Sequence, residues 1–253
     1  MIGTLRMLWR VPALILWTLF LWGLRLLVWP LSLVDDARDR RHRRGLTQRW
    51  AMGAERILGM RIEIHGPPPA APFYLVANHL SYVDIFVLQR TTAATFVAKG
   101  DMAAWPIFGW LAKSLQVIFV DRERRNDAAR ANASIQQALK NGEGMVIFAE
   151  SRISRGLSVA DFKSALIEPA IALGFPIHYA TISYRTRPGA LPASTAVGWW
   201  RPEPLLVHFV RLLRQPGFTA TVHFGPVPLA EGDRKQRAKA LTEAVRAVFV
   251  PMP

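Results

Sequence analysis

His79 and Asp84 lie five positions apart in the stretch "FYLVANHLSYVD", residues 73–84. Histidine titrates close enough to neutrality to take a proton from a substrate hydroxyl at physiological pH. A carboxylate bonded to one ring nitrogen fixes the tautomer and leaves the other nitrogen open for that proton. No serine or cysteine nucleophile is then required, because the substrate's own hydroxyl attacks. The same residues have a second reading. Ser81 followed three positions later by Asp84 fits the opening of a helix, where Asp84 only caps and His79 is incidental. At this level both readings stand.

Three other polar residues also follow apolar runs. Lys99 comes after "TFVA", Arg122 after "VIFVD" and Glu150 after "MVIFA". In an open α/β sheet such residues emerge beyond the carboxyl ends of the strands, where sites are built. Arg122 offers a fork for a pair of phosphate oxygens, and Lys99 adds a point charge. Each cation reads equally well as a solvated strand end, and Glu150 as a loop or helix cap.

The elements that must position these residues follow from periodicity. "MRIEIHG", Phe73–Ala77, "ATFVAK", "LQVIFVD", "GMVIFAE", "PIHYATISY" and "FTATVHFG" read as strands. Helical spacing is expected over 46–58, 82–89, "DMAAWPIFGWLAK", 127–140, 164–173, "PLLVHFVRLL" and 234–249. The alternation predicts an α/β domain, a mixed central sheet flanked by helices. "RTRPGALPASTAVGWW" is a long loop. Its Trp199 and Trp200 suit either membrane contact or the core.

Composition adds a partner class. The 253 residues carry 32 Lys and Arg against 18 Asp and Glu, a formal net charge of +14. That excess favours an anionic surface or substrate. Cysteine is absent, which excludes disulfides, thiolate metal sites and a cysteine nucleophile. From Val11 to Leu24 no residue is charged, and apolar residues resume after Arg25. With Trp9, Trp17, Trp22 and Trp29 along it, this segment reads as a retained hydrophobic helical membrane anchor. It is either one spanning helix or a helical hairpin lying in one leaflet. "RDRRHRR", Arg38–Arg44, follows it, as expected for contact with anionic lipid head groups on the cytoplasmic side. No recognition pattern for nucleic acid accompanies the run. Residues 1–45 are therefore expected to attach, and residues 46–253 to form the working domain.

"NHLSYVD" resembles the H-x-x-x-x-D motif of the glycerolipid acyltransferases, the group containing 1-acylglycerol-3-phosphate acyltransferase. Later blocks resemble that family in its order. The segment from Val97 ending in "VDRERR" resembles the second motif, with Arg122 in the place of its arginine. "GEGMVIFAES" resembles the third, with Glu150 in the place of its glutamate, and "FPIHYATISY" the fourth. The resemblance implies that His79 deprotonates a lysolipid hydroxyl, that Asp84 orients it, and that the alkoxide attacks an acyl thioester. Acyl-CoA or acyl-carrier protein is then a co-substrate, and neither a cofactor nor a metal is required.

The third motif departs from the family's F-P-E-G-T pattern. Ala149 stands for the proline, Ser151 for the glycine and Arg152 for the threonine. Ile153 sits where phosphate-binding members carry arginine. A subgroup that acylates lyso-ornithine lipid also lacks that arginine. The first expectation is a phosphate-bearing acceptor, 1-acylglycerol-3-phosphate, held by Arg122, Glu150, Lys99, Arg152 and Ser151. The alternatives are a lyso-ornithine lipid acceptor or a catalytically silent lipid binder.

Overall fold

The computed structural model describes residues 2–104, 108–114, 117–120, 125–229 and 232–252. Arg122 lies outside these residues, and the Lys99 side chain is not described. The chain begins with α1 (Ile2–Val28) and α2 (Asp36–Leu58), then alternates: β1 (Met60–His65), β2 (Phe73–Ala77), α3 (Val83–Thr92), β3 (Thr95–Lys99), α4 (Phe108–Ser114), β4 (Ile118–Val120), α5 (Arg125–Lys140), β5 (Gly144–Phe148), α6 (Glu168–Ala172), β6 (Ile177–Thr186), α7 (Ala193–Ala196), α8 (Leu205–Arg214), β7 (Phe218–Phe224) and α9 (Arg234–Ala247).

One seven-stranded sheet runs β1-β7-β6-β2-β5-β3-β4. Only β6 and β7 are antiparallel neighbours, so the sheet is mixed as expected. All five residues of β2 are buried. That is the pattern of an apolar strand covered on both faces. Phe73, Leu75 and Ala77 join a core with α3, α7 and α8; Tyr74 and Val76 join another with α5 and α9. β2 thus delivers its carboxyl end, and His79 just beyond it, to the middle of the sheet edge.

The N-terminal elements are built into this domain more closely than the sequence suggested. The helix expected over 46–58 begins ten residues earlier, at Asp36, and passes through residue 45 without a break. The basic run is therefore helical, and it is not all surface. Arg43 is buried and ion-paired with Glu143, the residue before β5. Asp39, also buried, accepts from both terminal nitrogens of Arg25 on α1, at 2.6 and 3.1 Å. Arg40 pairs with Asp36, and Arg44 donates to the Gly142 carbonyl. That leaves Arg38, Arg41 and His42 as the exposed members of the run. The run mixes lipid-accessible cations with a buried tether because residues 39 and 43 share one helical face.

α1 is 27 residues, about 40 Å of helix, which is long enough to cross a bilayer. Only 11% of its apolar window is buried. One face is nevertheless fastened to the domain. Arg10 donates to the carbonyls of Leu213 and Gln215 at 3.0 and 2.7 Å, and Trp17 donates to the Trp50 carbonyl at 3.2 Å. Together with the Arg25–Asp39 pair, these bonds hold α1 flat against α2 and α8.

Candidate active site

The segment between β2 and α3 is a tight turn organised around one carboxylate. Asp84 is fully buried. Its Oδ2 accepts from the backbone amides of Leu80 (2.7 Å) and Ser81 (3.0 Å) and lies 2.8 Å from His79 Nδ1. Its Oδ1 accepts from the Tyr184 hydroxyl at 2.6 Å. Ser81 Oγ in turn accepts from the Val83 amide at 3.3 Å. Asp84 therefore ties together the turn ahead of the helix and holds the imidazole, while the helix N-cap itself, Tyr82, makes no side-chain cap bond.

With Nδ1 donating to Asp84, the His79 Nε2 lone pair faces away from the pair. No described residue bonds to it. The ring lies flat on Phe148 at the end of β5, with centroids 3.9 Å apart and planes 11° apart. Its side chain stays 17% exposed, enough for a substrate atom to reach it. A ring fixed on both sides and open at Nε2 is placed to act as a base.

Glu150 closes the other side of the turn. It is buried; Oε1 accepts from the His79 amide and Oε2 from the Ala160 amide, both at 2.8 Å. Burial raises its pKa, and the two amides partly oppose that rise. With both oxygens on backbone amides, Glu150 supports the turn from below and is not placed as a head-group ligand. The next residue, Ser151, has φ of 61°, the left-handed conformation that suits glycine better. A serine thus holds a left-handed conformation at the position where the motif's glycine was expected. Arg152 is exposed and Ile153 half-buried. The structure thus brings His79, Asp84, Glu150 and Ser151 together and sets Arg152 at the surface beside them.

Two residues that sequence reasoning left unassigned complete the site. Asn78 exchanges hydrogen bonds with the backbone of Ile182, at 2.9 and 2.8 Å, locking β2 to β6 one residue before His79. Tyr184 is the other. It shares one face of β6 with Ile182 and Ala180 and looks like core, yet its hydroxyl ends on Asp84. Burial and the adjacent carboxylate hold its phenol well above the usual tyrosine range, so it remains a donor. A hydrogen bond to a charged group contributes about 1.5–3 kcal/mol. Tyr184→Phe is therefore expected to lower kcat by roughly tenfold or more with little change in either KM. Steady-state kinetics with both substrates varied will check this; unchanged kcat would remove Tyr184 from the site.

Trp199 and Trp200 are both half-buried. Trp199 packs edge-on against Tyr82 and donates from its indole to the Glu203 carbonyl. Trp200 donates to the Ser194 carbonyl and lies between the guanidinium groups of Arg155 and Arg201. A recess of about 460 Å³ between the 161–164 segment and α9 contains none of the site residues, so it does not define the reaction centre.

A buried carboxylate holds an open imidazole at the centre of a mixed α/β sheet edge, an arrangement that can take a proton from a hydroxyl. The acyltransferase family model matches residues 61–183, a span that includes His79, Asp84 and Glu150. The chain is 32% identical to a lyso-ornithine lipid O-acyltransferase of Pseudomonas aeruginosa, over 81% of this chain and 78% of that protein. Three further proteins of that description match at 30–31%. A 1-acyl-sn-glycerol-3-phosphate acyltransferase of Neisseria gonorrhoeae is 29% identical over 78% of this chain and 77% of its own length. The crystal structure of the Thermotoga maritima 1-acyl-sn-glycerophosphate acyltransferase superposes with a TM-score of 0.71 at 19% identity, covering 97% of this chain and 95% of that one, and so shares the fold. The chain belongs to the glycerolipid acyltransferase family. Its activity is that of a lysolipid O-acyltransferase.

Proposed function

We propose that the protein transfers a fatty acyl group from an acyl thioester, carried on coenzyme A or an acyl-carrier protein, to the free hydroxyl of lyso-ornithine lipid. The open Nε2 of His79, with Nδ1 held 2.8 Å from buried Asp84, carries the reaction. His79 takes the hydroxyl proton as the acceptor oxygen attacks the thioester carbonyl. That attack forms the C–O bond of a tetrahedral intermediate, which collapses as the C–S bond breaks, and the leaving thiolate recovers the proton from His79. Asp84 stabilises the imidazolium in between.

For the acceptor, Ile153 supports this reading. A phosphomonoester carries nearly two negative charges and calls for a guanidinium fork. At the position where phosphate-binding relatives carry that arginine, this chain has a half-buried isoleucine. Lyso-ornithine lipid, a carboxylate and an ammonium on one head group, makes no such demand. The relatives at 30–32% identity support the same order of preference, which reverses the one suggested by Arg122 and the net charge. Arg122 retains a role toward either anion, and Lys99 and Arg152 are auxiliary cations.

Attachment is monotopic. A spanning α1 would have to pull buried Arg10 and Arg25 away from the domain and into lipid, where an unpaired cation costs several kcal/mol. Residues 1–45 then lie on one leaflet, with residues 46–253 as the acyltransferase domain and Arg38, Arg41 and His42 toward cytoplasmic-side head groups.

The test uses purified protein in detergent micelles with a radiolabelled acyl thioester. Lyso-ornithine lipid should yield an alkali-labile diacyl product, and its analogue lacking the hydroxyl should yield none. Absence of product from the hydroxylated acceptor would refute the assignment.

A further inference from the structure

α8 has two faces of unlike character. His208 and Leu212 are buried on one side, while Leu206 and Val207 on the other are 72% and 51% exposed. With Val210 and the exposed Arg214 they form one stripe at helical spacing. Large apolar side chains left on one face of an amphipathic helix with arginines beside them are the pattern of a helix lying in a bilayer interface.

We infer that this face of α8 is a second membrane-docking surface, continuous with α1, which seats Leu206 and Val207 in the acyl region of an anionic leaflet. The inference rests on the monotopic reading of α1. Continuity comes from the contact between the two helices. A methyl group placed on Gly3 would come within 3.3 Å of the Arg214 carbonyl oxygen, so the start of α1 lies against the end of the α8 stripe. Exposed Ile2, Leu5, Leu8 and Trp9 carry the apolar surface onward along α1. The charges at its border fit anionic lipid. Arg201 and Arg214 are exposed, and the neighbouring carboxylate, Glu203, is neutralised by Arg211 through two bonds of 2.8 and 2.5 Å.

Docking there has a consequence for the site, because the buried face of α8 holds the catalytic turn. His208 Nδ1 accepts from the Tyr82 hydroxyl at 3.0 Å, and its Nε2 donates to the Gly198 carbonyl at 2.9 Å. The adjoining Trp199 amide donates to the Leu80 carbonyl at 3.0 Å. Two fixed lines of contact, α1 and α8, would set the height and tilt of His79 relative to the leaflet that supplies the acceptor.

Because the chain has no cysteine, single labels are clean. Full-length Leu206→Cys and Val207→Cys proteins would carry an environment-sensitive fluorophore and be bound to phosphatidylglycerol-containing vesicles with nitroxide-labelled acyl chains. Leu16→Cys on the exposed side of α1 reports membrane attachment itself, and Lys239→Cys on α9, across the sheet, reports solvent. Positions 206 and 207 should be quenched about as strongly as position 16 and roughly threefold or more above position 239. Quenching at 16 with none at 206 and 207 would overturn the α8 surface and leave the α1 reading intact. No quenching at 16 would overturn both.

Discussion

A His79→Ala protein is expected to keep its fold and lose about 10²–10⁴ in kcat. The side chain is half-buried, rests on Phe148 and makes its hydrogen bond to Asp84, so its removal disturbs little of the core. What disappears is the group that the proposed mechanism uses to receive the hydroxyl proton. Asp84→Asn should lose comparable activity for a different reason. The amide presents one acceptor oxygen to four donors, the amides of Leu80 and Ser81, the Tyr184 hydroxyl and the His79 ring, where the carboxylate presented two. Its NH₂ group would also favour the wrong imidazole tautomer. Circular dichroism and thermal melting separate loss of chemistry from loss of fold; rapid turnover in a folded His79→Ala protein would refute the base assignment.

The largest effect on stability is expected from Glu143→Ala. Glu143 is buried between two segments, pairing with Arg43 of α2 and accepting from Thr95 Oγ1 of β3 at 2.8 Å. Arg43 already has one buried nitrogen, Nη1, without a hydrogen bond, and its other carboxylate neighbour, Asp39, is 3.8 Å away and engaged by Arg25. Burial pulls the Arg43 pKa down while Glu143 and Asp39 pull it back up. Breaking a buried pair by removing one partner costs about 3–5 kcal/mol. In a chain of this size that corresponds to a fall in Tm of roughly 6–20 °C, read by thermal shift in detergent. A double change that removes both charges, Arg43→Met with Glu143→Leu, should recover most of the loss, because an apolar replacement of a buried pair is often neutral. Failure of that recovery would mean that the network contributes more than charge compensation.

The same network shows where sequence reading reached its limit. All seven strands were legible because their runs are bounded by glycine, proline or charge. α2 was legible only in its second half. Its first half is a run of arginines with no apolar stripe, and hydropathy cannot register that Arg43 meets a glutamate one hundred residues away. α7 escaped notice because four residues inside a proline-bearing loop leave no periodic trace. At the site, the spacing of His79 and Asp84 offered the dyad as one of two readings, and an apolar run ending on a polar residue put Glu150 at the same sheet edge. Tyr184 was invisible for the opposite reason: a tyrosine inside an apolar strand has the composition of core, and only its register across β6 shows that the hydroxyl reaches Asp84. Ser151 was flagged as a missing glycine, and its positive φ is the physical form of that departure.

The most direct measurement is a competition between acceptors on the unmodified protein. Lyso-ornithine lipid and 1-acylglycerol-3-phosphate are supplied together in equal amount, in one micelle population, with a limiting acyl thioester, and initial rates of both products are read by mass spectrometry. The ratio of products is the ratio of kcat/KM values, independent of protein concentration or partial inactivation. With Ile153 in place of the phosphate-binding arginine, diacyl ornithine lipid should dominate by roughly tenfold or more, the scale of one lost charge-assisted bond. A product mixture dominated by phosphatidic acid would contradict the account, and would place phosphate recognition on Arg122 in spite of Ile153.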